Sequence, residues 1–201
     1  MPRTPGTDTG QTLTNRNCLA SFDNVRYGRG VIDATYAYDG GNTGYERQIR
    51  PGTPMGRITA SGLWRPCPRT TTTSNGAVTA LVVVDARAFK VGDVISVGSD
   101  TGITVTAINY ATNTLTITST TVATGEAVVV ADGSQTCRGF LNEFVDLWDD
   151  TAQDYVDKSF SELVIGGYVD DDAILGDLAA IRAASGQYIS GILFDDYQGQ
   201  D

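Results

Sequence analysis

The chain has 201 residues, of which 41% are hydrophobic, with no histidine and a formal net charge of −10. That length suits one medium domain, or a small domain carrying a second one, with enough apolar residues for real cores. The missing histidine excludes Ser-His and Cys-His nucleophiles and any zinc site that needs an imidazole, and the acidic total argues against nucleic-acid binding by the whole chain.

The charge is unevenly placed. Residues 1–69 carry nine arginines against five acidic residues, a net of +4, and residues 70–131 carry two basic against four acidic, −2. Residues 132–201 carry three basic against fifteen acidic, −12. The N-terminal arginines are singly spaced, which suits an acidic protein surface better than a nucleic-acid patch. No apolar run approaches the roughly 18 residues a membrane helix needs. The opening MPRTPGTDTGQTLTNRNC shows no apolar core or cleavage signature, which predicts a protein made and used without export.

In chain order, residues 1–25 are rich in Thr, Asn, Gly and Pro, with Leu13, Leu19 and Phe22 as their apolar anchors. Such a segment is either a disordered tail or an arm that orders on a partner. Residues 25–38 suggest short strands at Val31, Ile32, Tyr36 and Tyr38, and DGGNTG at 39–44 is a loop. A strand at 45–50 ends at Pro51-Gly52, and a strand, a turn at Ser61-Gly62 and a second strand through Leu63 and Trp64 follow. Trp64 belongs either to the monomer core or to a subunit contact.

TTTTSNG at 70–76 reads as a flexible lead-in. Five β-rich runs follow, at 77–84, 93–98, 102–108, 114–118 and 126–131. In the middle runs Thr104, Thr106, Thr114, Thr116 and Thr118 alternate with Ile103, Val105, Leu115 and Ile117, the period-two pattern of strands with one wet face. Residues 70–131 therefore read as an inserted all-β barrel or sandwich. Cys67 and Cys137 flank it, and either a disulfide or two buried thiols fits that spacing.

The acidic C-terminal part has a turn and strand in DGSQTCRGFL (132–141), a strand near Tyr155, a strand at 161–169, and a short strand in YISGILFDD. Ile174, Leu175, Leu178 and Ile181 fall on one helical face over 172–184, with acidic caps before them and Gly186 after. The Asp170–Asp172 run is better read as capping than as a metal or acid/base cluster. No Walker, Rossmann or calcium-loop pattern is present. The profile is that of a structural or binding subunit and not an enzyme, with no cofactor or metal implied.

The phrase RQIRPGTPMGRITASGLWRPC at 47–67, its continuation DGSQTCRGFL at 132–141, the strand at 163–169, the acidic helix and the final ILFDD occur in the order of the bacteriophage lambda-type head decoration protein family. The chain resembles that family over residues 45–69 and 132–196. The resemblance implies a small β-rich, tulip-like scaffold over 26–69 and 132–201 with one short C-terminal helix, the barrel or sandwich of 70–131 being inserted in it. It implies a virion protein on the outer surface of an expanded capsid, a homotrimer at three-fold positions bound to the major capsid protein. The arm of residues 1–25 then docks on the shell through Leu13, Arg16, Leu19 and Phe22, and Trp64 lies in the trimer contact or the core. The alternative is a receptor-binding or tail-associated protein whose insert binds a host-surface glycan, although Phe89 and Tyr110 are the insert's only aromatics.

Overall fold

The computed structural model describes residues 18–186 and 189–195. The first part of the chain supplies β1 (Leu19–Ile32), β2 (Gln48–Ile49), β3 (Pro54–Arg57) and β4 (Trp64–Pro66). The central segment supplies β5 (Arg69–Thr71), β6 (Gly76–Val82), β7 (Val94–Val97), β8 (Asp100–Asn109), β9 (Thr114–Val122) and β10 (Ala127–Val130). The last part adds β11 (Cys137–Leu141), β12 (Val145–Asp146), β13 (Trp148–Asp149), β14 (Asp154–Tyr155) and β15 (Lys158–Asp170). Helix α1 (Leu178–Ser185) and β16 (Ile192–Asp195) follow. The protein is mainly β with one short α-helix, the class that the sequence predicts.

The two separated phrases meet in one sheet. Its strand order is β1-β4-β3-β11-β15-β16, with a further β1–β15 ladder that brings it round on itself. At the junction Cys137 pairs with Gly56, Gly139 with Met55 and Phe140 with Pro54, so β3, before the insert, lies beside β11, after it. One face of this sheet buries Phe140, Val164 and Val169 against Ile181 of α1, and another cluster holds Ile32, Met55, Leu141, Phe160 and Leu163.

Residues 70–131 form a separate barrel. Its strands run β5-β10-β7-β8-β9-β6, and a bridge between Thr72 and Val83 joins the two end strands. Closure removes the open edges that a small sheet would otherwise expose. Its core is its own, built from Leu81, Phe89, Ile95, Val105, Leu115 and Val128. The alternating threonines of β8 and β9 face outward, as their period-two spacing predicts.

Several expectations change. The arm of 1–25 is shorter than its composition suggests, because residues 19–25 are already part of β1, which pairs with β15 at Leu19 and Ser21. β1 is a single 14-residue strand, not a set of short ones, and it ends at Ile32, so Tyr36 and Tyr38 lie in the turn and loop that follow. It hides its periodicity because the β1–β15 register shifts at several points and its inner face carries glycine. At Gly30 the room of a side chain is taken by Trp64 and Phe160. TTTTSNG is not a free lead-in: it begins in β5, and Thr70 and Thr72 are fully buried with bonded hydroxyls.

The helix starts at Leu178, later than the apolar spacing predicts. Asp171–Ala173 forms a 3-10 turn, Ile174 is extended and Gly176 has φ +102°, a left-handed conformation that breaks the run. Asp170 caps that turn by accepting from Asp172 N, and Asp171 lies 3.4 Å from Arg182. The strand expected at 45–50 is reduced to β2, which pairs with β12.

All three cysteines are buried and free. β3 separates β4, which precedes Cys67, from β11, which begins at Cys137. Burial pushes the Cys18 and Cys137 thiols up to about 12 and raises that of Cys67 as well, so none is a ready thiolate at neutral pH.

Candidate functional site

Of the residues singled out in the sequence, Leu13 and Arg16 lie outside the described residues. Leu19 is corrected from arm anchor to core. It is 9% exposed, pairs with Val169 across β1–β15 and belongs to the cluster under α1. Phe22 lies within β1, in the scaffold and not in a free arm. The chain before Cys18 therefore departs from the end of the β1–β15 ladder, where Asp170 N donates to the Cys18 carbonyl at 3.0 Å.

Trp64 packs on the monomer core. Its ring meets Phe160 edge-on at a centroid distance of 5.7 Å. Its other side forms the wall of an open groove of about 350 Å³, lined also by Arg26, Gly28, Arg138, Leu163 and Ile165. Leu163 and Ile165 give it an aliphatic lining, and two arginines, Arg26 and Arg138, line it as well. Such a groove suits a partner that brings an apolar body and negative charge.

Sequence reading missed the seam that fixes the barrel to the scaffold. Arg65 in β4 is 1% exposed, and its Nη2 lies 3.1 Å from Asp93 Oδ2 in the barrel. The same nitrogen donates to the Ala88 carbonyl at 3.3 Å, and Nη1 lies 3.5 Å from Asp132 Oδ2. Asp93 Oδ2 also accepts from Lys90 N at 3.0 Å. One buried guanidinium thus ties together the scaffold, the barrel and the chain's exit from the barrel.

A second tie is Asp177, the N-cap of α1. Its Oδ1 accepts from Ala180 N at 3.0 Å, while Oδ2 accepts from Thr71 N at 2.9 Å, Thr71 Oγ1 at 2.8 Å and Thr70 Oγ1 at 3.3 Å. One carboxylate therefore starts the helix and anchors β5. Asp177→Ala is expected to cost about 2–3 kcal/mol, above an ordinary cap, because three further donors lose their acceptor. Urea denaturation measures this, and a loss below about 1 kcal/mol would show that Asp177 only caps.

A third contact seats the barrel on the loop after β1. Tyr110 stacks on Tyr38 at 5.8 Å, and its hydroxyl donates to the Phe89 carbonyl at 2.9 Å. A side chain at Gly40 would overlap the Tyr110 ring. Phe89 is fully buried. Both aromatics of the barrel are thus spent on packing.

Among the described residues no group of three His, Cys, Asp or Glu side chains is arranged to hold a metal ion, and no helix is long and apolar enough to cross a membrane. No protein-family model matches the chain, and no curated protein matches it.

Proposed function

We propose that this chain is a phage head decoration protein, a virion component that binds the outside of an expanded capsid as a trimer at three-fold positions and stabilises the shell. The observation that carries this reading is the β3–β11 register, with Cys137 opposite Gly56 and Phe140 opposite Pro54. The phrases that resemble the decoration family are interrupted in sequence, and the fold makes them neighbours. The interruption is a barrel with its own core, so the scaffold is a unit apart from it.

In this reading the residues before β1, with Leu13 and Arg16, form the arm, which adds to a sheet of the major capsid protein. Three arms on one trimer turn three weak contacts into firm attachment. The glycan-binding alternative is the weaker one, because Phe89 and Tyr110 offer no stacking platform beyond their packing roles. No enzymatic role, cofactor, nucleic acid or membrane enters the proposal.

The test is co-sedimentation with expanded shells of the phage that encodes the chain. Protein lacking residues 1–16 keeps all of β1 and is expected to fold normally yet bind shells at least about a hundredfold more weakly, the scale of lost avidity. Equal binding by the full and truncated chains would remove the arm from the proposal. A cut at residue 25 is unsuitable, because it strips the Leu19–Val169 end of the β1–β15 ladder.

A further inference from the structure

The groove beside Trp64 calls for an occupant that is acidic and partly apolar, and the chain carries such an element on its own surface. The β13–β14 hairpin exposes Asp150 and Asp154, neither of which has a cationic partner among the described residues. Asp149 is already engaged with Lys158 at 3.0 Å. Next to Asp154 stands Tyr155, 44% exposed. Its ring meets Trp148 edge-on at 5.3 Å and lies 5.4 Å from the Arg47 guanidinium, so the tip is held in place before any partner arrives.

Within one copy the hairpin does not reach Arg26. It ends beside Lys158, level with Ile32 and the Trp64 end of the groove, whereas Arg26 pairs with Gly166, eight residues further along β15. At about 3.3 Å per residue that is on the order of 25 Å, on a strand that the β1 ladder holds extended. Between two copies they match in charge. A contact of two different patches is head to tail and closes into a ring when the rotation allows.

We propose that the β13–β14 hairpin of one copy seats in the Arg26–Trp64–Arg138 groove of the next, and that this contact closes the trimer. The inference rests on the trimeric decoration reading above and names the surface that would build it. Asp150 and Asp154 face the arginines, and Tyr155 covers the aliphatic lining.

The test exchanges charges and follows self-association by sedimentation velocity. Arg26→Glu and Asp154→Arg are each expected to weaken assembly about tenfold or more, because each sets like charges against each other at every contact. The double variant restores opposite charges and is expected to assemble within about threefold of the unmodified protein. Thermal unfolding of each variant checks the fold, and Arg26→Gln replaces Arg26→Glu if the latter does not fold. Three results would overturn the proposal: an unmodified chain that stays monomeric, an Arg26 variant that assembles normally, or a double variant no better than the single ones. Shell binding is read separately. A trimer that ignores shells leaves the contact standing and removes the decoration reading, whereas shell binding by a chain whose Arg26 variant still trimerises does the reverse.

Discussion

Arg65→Met is expected to lower the unfolding free energy by about 3–5 kcal/mol, the usual cost of removing one partner from a buried ion pair. Arg65 is 1% exposed, and Asp93, its nearest partner, is also buried. The loss leaves the Asp93 carboxylate beside the barrel core with only the Lys90 N–H as a donor. Asp132 is the lesser partner, because its longer contact and partial exposure let water take over. Both tryptophans, Trp64 and Trp148, belong to the scaffold strands, so their fluorescence reports that part alone. In the variant the fluorescence and circular-dichroism transitions are expected to separate as the barrel and scaffold uncouple. Adding Asp93→Asn removes the orphaned charge and is expected to recover about half of the loss. Strictly additive single effects would contradict the pairing.

Gly56→Ala is expected to cost about 3 kcal/mol, at the upper end for overpacking. A side chain at Gly56 would overlap the backbone of Ser134, including its carbonyl oxygen. Ser134 is fully buried, and neither backbone can withdraw without parting β3 from β11. The residue before the insert and the residue after it are thus in direct backbone contact. A urea titration measures the loss. A cost below about 1 kcal/mol would mean that the two halves fit loosely.

How much of this was legible in the sequence depends on whether an element packs one clean face. β8 and β9 were readable because a closed barrel gives each strand a dry and a wet side, and Ile103, Val105, Leu115 and Ile117 mark the dry one. β5 was not, because threonine reads as exposed, whereas Thr70 and Thr72 are buried with their hydroxyls satisfied. β1 was blurred by bulges and by glycine beneath Trp64. The helix is legible in the sequence, but its start is not, since the apolar spacing runs unbroken through the turn at Gly176.

The seam had no local signal. Arg65 meets Asp93 and Asp132 across 28 and 67 residues, and Asp177 meets Thr70 across 107. Only the fold brings those groups together. The pairing of β3 with β11, which sets Cys137 opposite Gly56, likewise joins residues far apart in the chain.

The most direct measurement is electron cryomicroscopy of expanded shells mixed with the full chain. The expected result is trimeric density at three-fold positions, with the scaffold and arm against the shell and the barrel outermost. Bare three-folds, or a barrel pressed against the capsid with the scaffold facing solvent, would contradict the decoration role.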